Sequence, residues 1–314
     1  MTIAVAWVRK IRDCEELVFV SDSRLSGDGA TFDGCPKILT LPRSDCAISF
    51  AGYTGHAFPM MLQLSLAIDS HAPSKRGSLD LAALRSHALK IFDSMGEQLK
   101  TSKLLSLQED VLPGATFLFG GYSWIKKKFE LWSFSYRAKE GCFVADPAQW
   151  LMFHKEADRV ILRNKKIENG ETSLGKIAFA GDQAPLAKEL LLKKLNSFGA
   201  MDHESLDMEP FEVVRDMLRD RNHSETIGGA PQIVKVYQYM RTASLGVYWP
   251  NRTAGKVHLQ GRACLGYERV DRWVLDPDEL ISETQPLPRE SDELMAEDND
   301  PQTRSYDKLL GALR

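Results

Sequence analysis

The polar and apolar pattern of the chain opens with strands. Residues 2–8, Thr-Ile-Ala-Val-Ala-Trp-Val, form an apolar run that predicts a first strand. Residues 17–24 predict a buried strand with Asp22 at its polar end. A Gly-rich turn at 26–29 leads to a strand within 32–41, with Lys37 at its start, and residues 46–52 predict another strand that ends in small residues. Helical spacing then takes over. Phe58, Met61, Leu62 and Leu66 share one face of a helix over about 55–70. Beyond a polar linker at 71–78, Leu81, Leu84, Ala88, Ile91 and Met95 mark a second helix over about 79–99. Both stripes read as core packing.

Strand patterns return after the helices. Residues 116–121 read as a buried strand, and 129–134 alternate as its hairpin partner across the turn Lys126-Lys127-Lys128. Within 142–176 the apolar pieces at 150–153 and 160–162 predict an inserted hairpin. Residues 177–183 lead into a helix over about 184–197, and a further helix spans about 210–219. Gly228-Gly229 precede a strand at 232–237, with strand-like stretches at 245–249 and 257–260. Residues 1–270 therefore read as one α+β domain. The remainder, 271–314, is rich in Asp, Glu, Pro and Ser and predicts a disordered acidic tail. Its amphipathic end at 306–314 reads as frayed chain or as a peptide that docks on another subunit.

Composition narrows the function classes. The chain has 314 residues, 43% apolar and 26% charged, which suits a globular protein with a sizeable core. A net charge of −3 lacks the basic footprint of a nucleic-acid binder, and the lysine turn reads as solvated. Five dispersed cysteines without a C-x-x-C predict reduced thiols in a cytoplasmic setting. No segment is apolar over a membrane-spanning length, and the N-terminus lacks a basic-then-apolar leader pattern. The histidines lack metal-binding spacing, and neither a P-loop nor a G-x-G-x-x-G is present, so no metal or cofactor is expected. Any ATP dependence would come from a partner.

Thr2 directly follows Met1. Removal of Met1 leaves a hydroxyl and a free α-amine on one residue, a nucleophile with its own base of pKa about 7.7–8.0. Three further elements follow in order within about fifty residues: Asp22-Ser23-Arg24, Pro36-Lys37-Ile38 and Phe50-Ala51-Gly52. This order resembles the N-terminal nucleophile hydrolases, most closely the proteasome β-type subunits and the bacterial peptidase HslV. The loop at 10–16 looks longer than in that family.

The resemblance implies a four-layer αββα sandwich, two antiparallel sheets with helices on both outer sides. It implies that Thr2 is nucleophile and base, that Lys37 tunes it, and that Asp22 orients Lys37. The Gly52 N–H would form the oxyanion hole, and Arg24 would brace the site. A lysine ammonium stabilises an alkoxide, a carboxylate keeps that ammonium charged, and a glycine N–H is open to an oxyanion. Ser21, Leu25, Cys35 and Tyr53 would wall the substrate pocket. Two positions depart from the family pattern. Asp182 stands where a Ser approaches the N-terminal amine; it also reads as a helix N-cap. Ile227 replaces a Ser before the Gly-Gly pair, leaving Asp220, Ser224 or Glu225 for polar support. The function implied is a threonine peptidase acting on peptide or amide substrates, as a homo-oligomer with a ring and an ATP-dependent unfoldase partner in prospect. The alternatives are a small-molecule amidase or acylase with the same nucleophile, and an inactive proteasome-like scaffold that keeps Met1.

Overall fold

A computed structural model describes residues 2–27, 30–101, 113–164, 171–197, 205–220, 227–253, 255–266, 268, 270 and 273–284. The chain is mixed α+β, with mostly antiparallel sheets. Strands β1 (Ala4–Ile11) and β2 (Cys14–Ser21) form a hairpin, paired from Ala4↔Ser21 to Ile11↔Cys14. Only Arg12 and Asp13 close it, with Arg12 at φ 53°. The longer loop expected at 10–16 is thus a two-residue turn, because the strand pairing runs on through its polar residues. A small hairpin follows, β3 (Leu25–Gly27) with β4 (Ala30–Phe32). β5 (Ile38–Thr40) begins just after Lys37. The strand expected within 32–41 is therefore cut to its last part, since Gly34 and Pro36 interrupt pairing. β6 (Cys46–Gly52) ends at the expected glycine.

Three helices follow: α1 (Thr54–Ser70), the short α2 (Ala72–Lys75) within the expected linker, and α3 (Leu81–Thr101). Strands β7 (Ala115–Ser123), β8 (Lys128–Arg137) and β9 (Cys142–Pro147) complete a five-stranded sheet of order β5-β6-β7-β8-β9. β10 (Gln149–His154) and β11 (Arg159–Arg163) are the expected hairpin at 150–162. They extend the edge of the larger sheet beside β12 (Glu171–Ala180). After α4 (Ala184–Ser197) and α5 (Glu209–Arg219) come β13 (Gln232–Tyr237), β14 (Arg241–Trp249), β15 (Lys256–Leu259) and β16 (Arg262–Ala263). The larger sheet runs β11-β10-β12-β1-β2-β13-β14-β15-β16.

β17 (Trp273–Leu275) and β18 (Ser282–Thr284) also join this sheet, β17 pairing parallel to β14. They fall in the region expected to be disordered from 271. The apolar triplet Trp273-Val274-Leu275 explains the difference, since Val274 and Leu275 are buried. Residues 285–314, with the docking peptide expected at 306–314, lie outside the described residues.

Strand alternation sorts most of the core into three large clusters, with a smaller fourth at Val257, Val270 and Val274. Ala4, Ala6, Leu17 and Phe19 meet Ala47, Ala51, Leu118 and Leu131, so residues of both sheets share one cluster. The opposite faces of β1 and β2, with Ile3, Val5, Trp7, Val18 and Val20, pack with Leu191 of α4 and Phe211 of α5. Ile48, Phe50, Phe117 and Phe119 pack with Leu64 of α1 and with Leu84 and Phe92 of α3. The face expected for α1 is turned. Met60, Met61, Leu64 and Ile68 are buried, while Leu62 and Leu66 are exposed. The helix carries apolar residues on most of its circumference, so two stripes fit the same spacing. Among the described residues, no helix is long and apolar enough to cross a membrane.

Candidate active site

The register Ala4↔Ser21 sets the N-terminal end of β1 beside the C-terminal end of β2. Thr2 and Asp22 therefore come together without any long-range loop. Asp22 N–H donates to Ile3 O at 3.2 Å, and Ile3 N–H donates to Asp22 Oδ1 at 3.1 Å. Lys37 enters from the segment before β5. Its Nζ donates to Asp22 Oδ1 at 2.8 Å and to Thr2 Oγ1 at 3.2 Å. The Lys37 and Asp22 side chains are both 0% exposed, and Thr2 is 2% exposed.

A buried carboxylate requires partners on both oxygens. Asp22 Oδ2 accepts from Arg24 N–H at 3.1 Å and from Gly228 N–H at 3.5 Å. Burial pushes the Asp22 carboxyl above its ordinary value, against the opposing pull of Lys37 and of the Ile3 and Arg24 N–H groups. Lys37 Nζ is thus held at the hydroxyl of Thr2, with the Asp22 carboxyl fixed behind it.

The Thr2 nitrogen is a peptide nitrogen while Met1 is attached and becomes the α-amine when Met1 is removed. It donates to Asp182 Oδ1 at 2.6 Å. The expected N-cap reading of Asp182 gives way to this contact across 180 residues. Gly181, at φ +104°, lies against the Thr2 backbone, where an added Cβ would overlap the Thr2 carbonyl oxygen. The same Cβ would lie 3.4 Å from the Ala51 Cβ, which places the end of β6 beside Thr2. Gly52, the last residue of β6, has φ +103° and is exposed, as is Tyr53. The rim of the site is formed there, while Thr2, Lys37 and Asp22 lie beneath it.

The other expected residues sort differently. Arg24 is turned to Asp33 and Ile227: its Nε and Nη2 each donate to the Asp33 carboxylate at 2.6 Å, and Nη1 donates to Ile227 O at 3.4 Å. It braces the backbone that carries Asp22. Ile227 supports this with its carbonyl, while its side chain joins the apolar core. Asp220 caps the end of α5, and Ser224 and Glu225 lie outside the described residues. Ser21 is not a pocket wall. It is fully buried, and its Oγ donates to Ile3 O at 2.9 Å, because it continues the face of β2 that carries the buried Leu17 and Phe19. Cys35 is buried, and burial pushes its thiol up to about 11. It is a protonated apolar surface near neutral pH. Leu25 is half-buried, and Tyr53 stacks edge-on against His56 with ring centroids 4.6 Å apart.

Gln232 is a site residue that the sequence pattern does not single out. The residue is 1% exposed, and its side chain ties β13 to two other segments, 35–37 and the end of β2. Oε1 accepts from Lys37 N–H at 2.8 Å, and Nε2 donates to Cys35 O at 2.5 Å and to Asp22 O at 3.3 Å. The only sequence signal is an amide side chain at the start of an otherwise apolar strand. Gly229, of the expected Gly-Gly pair, has φ +72° and packs against Ser23 Oγ. Among the described residues, no cluster of three or more His, Cys, Asp or Glu is arranged to hold a metal. Compared with known proteins, the chain matches no family model and no curated protein.

Proposed function

We propose that the chain is a threonine amidohydrolase of the N-terminal nucleophile kind, similar to proteasome β-type subunits and HslV, which cleaves peptide or related amide bonds once Met1 is removed. The buried contact chain from Thr2 Oγ1 through Lys37 Nζ to Asp22 Oδ1 carries this reading. The shared core between the sheets, with α1 and α3 on one side and α4 and α5 on the other, supports the four-layer αββα arrangement.

In this reading the Thr2 amine takes the proton from Oγ as Oγ attacks the amide carbonyl carbon. The carbonyl electron pair moves to oxygen, where the Gly52 N–H faces the oxyanion. Collapse breaks the C–N bond, and the departing nitrogen takes the proton from the Thr2 ammonium. Water, activated by the same amine, then hydrolyses the ester and restores Thr2. Lys37 lowers the energy of the alkoxide throughout. Ring assembly and an ATP-dependent unfoldase come with the resemblance and form part of the proposal.

Asp182 gives this site a distinct pH behaviour. A carboxylate beside the amine favours the ammonium, whereas catalysis needs the neutral amine. The acid limb of kcat/KM therefore lies at higher pH than it would without Asp182. Asp182→Asn moves that limb to lower pH by about one unit. The check is a pH–rate profile on an amide substrate for both proteins. An unshifted limb removes Asp182 from the site, and absence of any amide hydrolysis by the methionine-processed protein overturns the functional reading.

A further inference from the structure

A second cleft opens at the far end of β1 from Thr2. Eight residues separate Thr2 from Lys10, roughly 26 Å along an extended strand at about 3.3 Å per residue. The cleft has a volume of about 330 Å³, at the small end of metabolite-sized pockets. Four strands supply its polar lining: Lys10 from β1, Glu15 from β2, Lys128 from β8, and Lys176 and Ser173 from β12. Trp150 of the β10–β11 hairpin forms one wall, with Lys176 Nζ 5.0 Å from its ring centroid.

The charges of this cleft are unbalanced. Among the described residues, none of the three lysines forms an ion pair. The nearby Glu130 is taken up by Lys126, at 2.6 Å. Glu15 is the one carboxylate among the lining residues, so three ammonium groups face one negative charge. Burial, and next the charge of Lys128, hold Lys176 below its ordinary value, against the opposing pull of Glu130 and Glu15.

We propose that this cleft binds a metabolite-sized phosphate monoester, with Lys10, Lys128 and Lys176 around the phosphate and the Trp150 wall beside the organic part. Three cations less Glu15 leave two positive charges, which matches a phosphate monoester of charge about −1.5 to −2 near neutral pH. Lysine ammonium groups serve as point-charge phosphate ligands, and the Ser173 and Ser205 hydroxyls in the lining add neutral donors. The volume exceeds what a bare phosphate fills, which favours an ester over the inorganic ion.

Isothermal titration of the full chain with ribose 5-phosphate tests this, with ribose and inorganic phosphate as references. Saturable one-to-one binding of ribose 5-phosphate is expected, tighter than inorganic phosphate and absent for ribose. Lys128→Met combined with Lys176→Met weakens it at least tenfold, and Glu15→Gln tightens it. Equal affinity for inorganic phosphate overturns the ester in favour of a bare anion site. Absence of saturable binding at millimolar concentration, or affinity indifferent to Lys128 and Lys176, overturns the site altogether. If the double variant does not fold, Glu15→Gln decides: tighter binding supports the cleft and unchanged binding overturns it. Titration of Thr2→Ala gives the same affinity as the wild type, so the result stands apart from the hydrolase reading.

Discussion

Lys37→Ala lowers amide hydrolysis by at least about a thousandfold and destabilises the fold by about 3–5 kcal/mol, whereas Thr2→Ala lowers hydrolysis as far and shifts stability by only about 1 kcal/mol. The two effects part because the residues hold different things. Thr2 is a neutral residue whose Oγ1 accepts from Lys37 Nζ at 3.2 Å, so its loss removes the nucleophile but no buried charge. Among the described residues, Lys37 is the only side-chain cation bonded to the Asp22 carboxylate, which has 0% exposure. Its removal leaves Asp22 charged without a counter-ion, or forces it to take up a proton. Burial already drives the Asp22 carboxyl upward, so the proton is the cheaper outcome, and the hydrogen bonds from Ile3, Arg24 and Gly228 then meet a neutral acceptor. Denaturant unfolding and turnover of an amide substrate, measured on the same preparations, give both quantities. Wild-type turnover by a folded Thr2→Ala protein would sink the mechanism, and a wild-type unfolding midpoint for Lys37→Ala would mean that the ion pair is not formed.

Gly181→Ala is expected to cost about 3 kcal/mol or more and to abolish hydrolysis with it. Two penalties combine at this residue. Its φ of +104° lies outside the range that an alanine adopts readily. Its Cβ would overlap the Thr2 carbonyl oxygen and sit 2.7 Å from the Thr2 carbonyl carbon. Both atoms are backbone, so no side-chain rotation relieves the overlap, and the displaced residue is the nucleophile itself. A displacement of about 1 Å in a reacting group is enough to cost on the order of a hundredfold in rate. Gly27→Ala is the control, since a Cβ there meets nothing within 4 Å, and it stays within about 0.5 kcal/mol of the wild type. Matching stabilities for the two alanine variants would mean that β12 does not end against Thr2.

Much of this site is legible in the residue order because it is built from local geometry. Asp22 follows a buried apolar strand, and its place opposite Thr2 comes from the register of one hairpin. Lys37 needs only a chain reversal to return to that strand end. The 182 side is different. Its contact with Thr2 spans 180 residues and depends on β12 pairing with β1, so spacing alone left an N-cap as an equal reading. Gln232 is less visible still. An amide at a strand start carries no periodic signal, and its role exists only where three segments meet. The differences elsewhere in the fold have physical origins too. The turn of α1 was ambiguous because Leu62 and Leu66 and the Leu64 and Ile68 pair both satisfy helical spacing. The order of 273–284 was hidden because three apolar residues stand in acidic surroundings and gain their partner, β14, only in the folded sheet. Ser21 reads as a pocket wall in sequence but spends its hydroxyl on Ile3 O.

The central claim is that Thr2, freed of Met1, is a competent nucleophile beside Lys37. The most direct measurement is the intact mass of the purified native protein before and after treatment with an epoxyketone or β-lactone directed at N-terminal threonine, with peptide mapping of any adduct. The account predicts a mass lacking Met1 and a single adduct on Thr2 that is absent from Lys37→Ala. Retained Met1 with no adduct would contradict it, since an acylated α-amine cannot act as the base.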